Sequence, residues 1–461
     1  MRILLIVYDN DSHINTFPIG IGYLTSVLEK KYHVDIYHQD IHHYYEEHLT
    51  HFLDQGSYDV VGLSFIGGYY QYSKAVKLAR AVNRSSKRPF FILGGHGPSP
   101  EPDFFMRKLE ADAVCIGEGE ETILDLLDAM AHRRYLSTVP GIAFMDGNSC
   151  VLNERRPLIA DIDTIPFPAY HRFPIEHYRL MRMPRCTRTD FIMVMLSGRG
   201  CPFRCNFCYR MDAGFRQRGN EAIIEEIKLL KRDYGINYIA FYDELLMSSV
   251  SRTESLCEDF IRHKLDIKWE ANGRLNFARP DLLKLMHSSG CVFLNYGIEC
   301  FDDTVLKNMH KGLTTKQITR GVEATLAAGI SPGLNMIFGN HGENRETLRK
   351  GVNFIKKYTD DAQLRTIRPV TPYPGCELYY DAIRMGKLKD CEDFYENKHL
   401  NSDLLAINFT ELSDDEFYEA IYSANEELLL YAQERGRIAT MQQLDKLYKD
   451  KDISFRGFRG V

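Results

Sequence analysis

Two stretches of this chain alternate short apolar runs with longer amphipathic ones, and that rhythm leaves few folds open to it. Within residues 1–132, strands are predicted at 2–8, 34–37, 60–65, 90–93 and 113–116, with helices at 20–31, 72–84 and 121–132. Parallel neighbours need a crossover long enough for a helix, so this order predicts a doubly wound parallel sheet that binds ligands at the carboxyl ends of its strands. A second stretch, from Phe191 to about residue 375, places six strands at 191–196, 238–242, 268–271, 292–297, 333–338 and 364–369. Between the two lie an Asp-Gly hairpin turn, Met145-Asp-Gly-Asn148, and then Pro166, Pro168, Pro174 and Pro184, which together read as a linker. Beyond residue 375 the pattern turns helical, and Leu412-Ser-Asp-Asp-Glu416 is a capped start for a helix over 411–434. At 461 residues the chain is too long for one core, and the expected divisions are 1–135, 136–185, 186–385 and 386–461.

Composition narrows the class. With 44% apolar and 26% charged residues the chain is neither disordered nor membrane-like, and its longest apolar runs, such as 191–196, are strand-sized. The net charge of -6 is spread through the sequence, so nothing calls for a nucleic-acid partner. Arg182, Arg185, Arg188, Arg199, Arg204, Arg210, Arg216 and Arg218 crowd one region and read as a solvated surface, or as a face for an anionic partner. The chain opens directly into a strand without a signal peptide, so its eleven cysteines are expected as thiols in a cytoplasmic, reducing and anaerobic setting.

Three of those cysteines stand together in Gly198-Arg-Gly-Cys-Pro-Phe-Arg-Cys-Asn-Phe-Cys-Tyr-Arg210. Thiolates of Cys201, Cys205 and Cys208 at that spacing suit three irons of a four-iron cluster, and the open fourth iron can chelate a small molecule through an amine and a carboxylate. A zinc site is the alternative, but zinc recruits a second pair of cysteines or histidines downstream, and none follows. Cys115, Cys150, Cys186, Cys257, Cys291, Cys300, Cys376 and Cys391 form no second motif and read as buried thiols, with Cys300 and Cys376 placed where a hydrogen-atom donor or substrate contact could stand. His38, His42, His43, His48 and His51 lack a closed ligand set and read as a solvated helix.

The cysteine spacing, with Phe207 before the last thiol, resembles the signature of the radical S-adenosylmethionine (radical SAM) superfamily. The resemblance implies that Phe207 packs near the adenine and that the six strands form a partial (β/α)6 barrel. It also implies that the strand-end residues Asp243, Glu244, Asn272, Arg274, Glu299 and Gly339 line the SAM site. Tyr242-Asp-Glu244 is similar to the acidic turn that receives the methionine amino group, and Arg274 to a basic residue for its carboxylate. Gly297-Ile-Glu299 is similar to the ribose segment, and Gly339-Asn-His-Gly-Glu343 to a Gly-x-Pro-Gly-Glu turn with His341 in place of proline.

The first 130 residues resemble a cobalamin-binding domain, through Pro18-Ile-Gly-Ile-Gly-Tyr23, Gly94-Gly95-His96 and Gly117-Glu-Gly-Glu-Glu121. That implies cobalamin contacts at Ser64, Gly94, Gly95, Gly117, Glu118 and Gly119. His13 lies in Asp11-Ser-His-Ile-Asn-Thr16, where threonine replaces the glycine of the axial-histidine motif, and reads as a loop histidine. Taken together, the fold class implied is an α/β chain: a Rossmann-like cobalamin-binding domain, a radical SAM barrel and a helical carboxyl-terminal region. The activity implied is methylation of an unactivated carbon of a small molecule through a 5'-deoxyadenosyl radical and methylcobalamin, with a flavodoxin or ferredoxin as electron donor. A non-methylating ring-forming enzyme and a cofactor-binding protein without turnover are the alternatives.

Overall fold

In the computed structural model, which describes residues 1–12, 14–211 and 214–455, both expected sheets form. His13 and the last residues of the tail, 456–461, lie outside the described residues. The first sheet contains β1 (Arg2–Val7), β2 (His33–His38), β3 (Val60–Ser64), β4 (Phe90–Gly94), β5 (Ala113–Cys115), β6 (Ile142–Asp146) and β7 (Ser149–Leu152), in the order β2-β1-β3-β4-β5-β6-β7. Strands β1 to β5 are parallel and doubly wound; β6 and β7 add on antiparallel. The Asp-Gly turn therefore makes its hairpin, but the hairpin pairs with β5 and lengthens the first sheet, covering an edge that would otherwise be open.

The second sheet has six parallel strands. They are β8 (Ile192–Met195), β11 (Tyr238–Phe241), β12 (Lys268–Gly273), β13 (Cys291–Glu299), β14 (Ser331–Phe338) and β15 (Arg368–Pro369), neighbours in chain order. A two-stranded ribbon, β9 (Gly198–Arg199) with β10 (Arg216–Gln217), brackets the cysteine loop between β8 and β11. Alternation along the strands sorts their two faces. Trp269 packs outward on Phe241 and Phe260, at 6.0 and 6.1 Å between ring centroids, and Tyr296 reaches the hydroxyl of Thr325 on an outer helix at 3.0 Å. Their strand neighbours Glu270, Asn272 and Asn295 point to the concave side.

The first sheet also shares its faces between two cores. Ile3, Leu5 and Val7 join Phe17, Tyr170, Phe173 and Tyr178 in a core that runs on into the barrel. Leu4, Ile6, Val61 and Leu63 face the other way, where Leu378, Tyr379, Phe394, Tyr395 and Ile407 complete the packing. The segment around 378–409 thus covers the first sheet. The long helix Asp414–Tyr448, opened by the Ser413–Glu416 capping box, packs on the barrel helix Arg345–Tyr358. Among the described residues no helix is long and apolar enough to cross a membrane.

Candidate active site

The cysteine loop leaves β9 through Gly200, whose φ is +84° and whose hypothetical Cβ would lie 2.5 Å from the Gly214 carbonyl, so glycine is required there. Asn206 ties the loop to the barrel. Its side chain and that of Asn340 exchange hydrogen bonds at 3.1 and 2.9 Å, its N–H donates to Met309 O at 3.1 Å, and its carbonyl accepts from the Leu378 N–H at 3.0 Å. Cys201, Cys205 and Cys208 are free thiols close enough to influence one another. Burial, and then the neighbouring Cys205 and Cys201, push the Cys208 thiol up to about 11, and burial also raises Cys201. Three free thiols gathered on one loop are a donor set that fits a cluster held at one thiolate per iron. Among the described residues no three His, Cys, Asp or Glu side chains converge as a single-ion site.

Around this loop the expected SAM residues divide into two groups. Glu244 is exposed at the end of β11 and accepts from Gly200 N at 2.5 Å, beside the cysteines. Arg274 is buried against the loop, its guanidinium carbon 3.4 Å from the Phe203 ring centroid; it donates to the Lys311 carbonyl and interacts with the Cys205 sulfur, yet its Nε has no hydrogen-bond partner. Burial lowers its pKa. An orphaned N–H on a buried cation marks a place for an anionic ligand group. Glu299 (φ +69°) holds a buried ion pair with Lys311 at 2.9 Å, and Lys311 Nζ stands 5.7 Å from the Phe207 ring centroid. Gly339 (φ +115°) and Asn340 donate their N–H groups to Glu343 at 2.7 and 2.9 Å, which shapes the turn after β14.

Asp243 stands apart from that site. Fully buried, it accepts from Ser197 N at 2.6 Å, from the Ser197 hydroxyl and from Gly198 N at 3.3 Å, and burial raises it to about 6. Its oxygens are spent on the turn between β8 and β9, so it positions the cysteine loop and leaves Glu244 as the exposed carboxylate of the pair. Asn272 likewise gives its amide to the Asp243 carbonyl at 2.8 Å and accepts from Asn295 at 2.9 Å.

At the carboxyl edge of the first sheet, Ser64, Gly94 and Gly95 lie side by side across β3 and β4. Gly95 has φ +91°, and a Cβ there would meet Phe65 O at 2.6 Å and Ser64 Oγ at 2.8 Å, so glycine is what lets the turn after β4 lie against the end of β3 at the carboxyl edge, where sheets of this kind bind ligands. The helix Gly119–Ala131 begins just after Gly117 (φ +82°), with Gly119 close to Leu24. Glu118 does other work. It accepts from Arg199 at 2.7 Å, Arg216 at 2.8 Å and Ile159 N at 2.8 Å, while Glu120 pairs with Arg199 at 2.6 Å, so this turn clamps the first sheet to the ribbon beside the cysteines.

Three members of the arginine run are therefore interior struts rather than solvated surface: Arg199, Arg216 and Arg218, the last paired with the buried Glu226 at 2.5 Å. Lys311, Asn206 and the Glu118–Arg199–Arg216 clamp escape sequence reasoning, since each joins segments far apart in the chain without any local period. Cys300 and Cys376 are buried, and Cys300 is engaged with Glu343. Of the histidines, His48 bonds the Tyr37 hydroxyl at 2.8 Å and His43 bonds Asp9 at 2.9 Å.

A doubly wound sheet clamped by its carboxyl edge beside a three-thiol loop on a partial barrel defines a class of protein that sets a ligand-binding strand edge next to a candidate iron–sulfur loop. The sequence comparisons agree. Residues 2–127 match the B12 binding domain and residues 195–355 the Radical SAM superfamily. An uncharacterized methyltransferase of Pyrococcus horikoshii is 31% identical over 395 residues, 83% of each chain. The anaerobic magnesium-protoporphyrin IX monomethyl ester cyclase of Rubrivivax gelatinosus is 25% identical over 377 residues, 79% of this chain and 66% of that one. Among solved structures, the radical SAM methyltransferase TsrM of Kitasatospora setae, with cobalamin and a [4Fe-4S] cluster bound, superposes with a TM-score of 0.74 at 17% identity over 93% of this chain and 88% of that one. This chain belongs to the radical SAM family whose members carry an amino-terminal B12-binding domain, and its cofactors are a [4Fe-4S] cluster, SAM and cobalamin.

Proposed function

We propose that this protein methylates an unactivated carbon of a small molecule, held between the carboxyl edge of the first sheet and the mouth of the barrel. The observation that carries this reading is the contact between those two edges. Tyr209, next to Cys208, closes on Gly375 and Pro100, and its ring stands 6.2 Å from that of His96 on the β4 loop. When bound, the cluster and SAM supply a hydrogen-abstracting 5'-deoxyadenosyl radical, and cobalamin supplies the methyl group.

The chain's own residues bind, orient and exclude water. Glu244 receives the methionine amino group and Arg274, through its unpartnered Nε, the carboxylate. Phe203 and Phe207 keep this end dry, and Lys311 holds Glu299 in place for the ribose. Arg204, exposed on the cysteine loop, faces an acidic electron donor such as a flavodoxin or ferredoxin, in the cytoplasm. The Rubrivivax relative favours a second reading, ring formation by the same parts.

The test is anaerobic reconstitution with iron, sulfide and hydroxocobalamin, then reductant and SAM carrying a deuterated methyl group. Methylation predicts a retained cluster, about one retained cobalamin per chain and label in the cobalamin fraction. Cobalamin that stays bound while SAM is cleaved and the label never leaves sulfur would replace methylation with the ring-forming reading.

A further inference from the structure

The concave face of the barrel carries a row of side chains linked to one another across three strands. Asn272, Asn295 and Asn335 stand on the adjacent strands β12, β13 and β14. Asn295 Nδ2 donates to Asn272 Oδ1 at 2.9 Å, and Asn335 Nδ2 donates to Asn295 Oδ1 at 2.7 Å. The two ends fix the polarity of the row. Asn272 Nδ2 donates to the Asp243 carbonyl at 2.8 Å, and Arg365 donates to Asn335 Oδ1 at 3.3 Å. A carbonyl only accepts and a guanidinium only donates, so neither end tolerates a flipped amide and every carboxamide between them is set.

Position reinforces the point. Leu294, Tyr296, Leu334 and Met336 alternate with these residues and are buried, while the three asparagines are half-buried, open toward the barrel interior. A Cβ at Gly333 would lie 2.5 Å from Asn295 Oδ1, so glycine at 333 is what leaves room for the row. A carboxamide has two N–H donors and two oxygen lone pairs, of which the row uses one each; among the described residues none of the three amides takes another partner. Each rung therefore offers one donor and one acceptor side by side, repeated at the strand spacing of about 4.8 Å.

We propose that this asparagine row is the substrate-recognition strip, and that the substrate is a neutral polar molecule with an amide-type donor–acceptor edge, such as a lactam, carboxamide or peptide group. The proposal takes the barrel mouth as the reaction site, as above, and deepens that reading by naming the substrate class. A hydrocarbon surface against the row would strip water from the free donors without replacing it. A site built to hydrogen-bond rejects a ligand that lacks the matching group.

The test uses a matched pair of probes, δ-valerolactam and cyclohexanone, which share a ring shape but differ in the N–H. Both are titrated by saturation-transfer NMR into the full-length protein reconstituted with cluster and SAM. The lactam should bind at least about tenfold more tightly than the ketone, and Asn295→Leu, Asn335→Leu and Gly333→Ala should each remove that preference. Bound iron is the control for a folded cysteine loop. Equal binding of the two probes, or leucine variants with iron that keep the preference, would overturn the proposal; if the variants lose iron, the ratio in the unaltered protein decides. Lactam preference without transfer of a labelled methyl group would leave the recognition strip standing and remove the methylation reading, and the reverse pair of results would do the opposite.

Discussion

Lys311 and Glu343 show how much of this site depends on single buried charges. Replacing Lys311 by methionine leaves Glu299 buried without its 2.9 Å partner, which should cost about 3–5 kcal/mol. Adding Glu299→Gln should recover part of the loss, as read by urea unfolding under anaerobic conditions; equal losses in both proteins would show that the pair contributes only packing. Glu343 is raised to about 7, first by burial, against hydrogen bonds from Asn340, Cys300 and Gly339 that favour its ionised form. The unfolded carboxyl ionises near the ordinary glutamate value of 4.5 and the folded one near 7, so the unfolded chain sheds its proton first. Stability attributable to this group therefore falls as pH rises between those values, by on the order of 3 kcal/mol, and then levels. Glu343→Gln should narrow the difference between unfolding midpoints at about pH 5 and pH 7.5, and an unchanged difference would assign the titration to another group.

Whole elements were legible wherever a local signal repeats. The alternation that fixes both sheets, the Asp-Gly hairpin and the capping box at Ser413 and Glu416 are all written within a few residues of where they act. Ser413→Ala should accordingly cost about 1 kcal/mol, measurable as a lower urea midpoint with the same denaturant dependence. The cysteine loop was legible for the same reason, as a fixed spacing. At Asp243 a place at a strand end does not say which way the oxygens face, and here they turn to the loop between β8 and β9. The segment from Phe394 to His399 had no period to read; only its partners across the chain, Tyr72 and Gly67, place it. Gly95→Ala tests the carboxyl edge of the first sheet as the cobalamin site: with φ at +91° and backbone 2.6 Å from the new Cβ, the loop must shift. Retained cobalamin should drop by at least about tenfold, judged against a reference loss of 1.4 kcal/mol per decade, while bound iron holds.

At the scale of the whole molecule, the clamp at Glu118 decides how firmly the two sheets are joined. Burial alone would raise this carboxyl, but Arg216, the Ile159 amide and Arg199 outweigh it and hold it below the usual carboxylate range. Its contribution is therefore present above the ordinary glutamate value and is lost as pH falls through the lowered one. Glu118→Ala should speed amide exchange in β9, β10 and residues 155–159 at neutral pH, leaving the core of β1 and β3 unchanged; exchange that stays slow in the ribbon would mean Glu120 alone suffices. The return of residues 378–409 to the first sheet gives the chain a second fastening. Tyr395 stacks on Tyr72 at 4.5 Å and donates to Gly67 O at 2.9 Å, so the polypeptide describes a ring, from sheet to barrel and back by a strap. In a ring neither half swings away alone: the sheet and the barrel are tied at two separate places, the Glu118 clamp and the Tyr395 strap, so releasing one leaves the other holding.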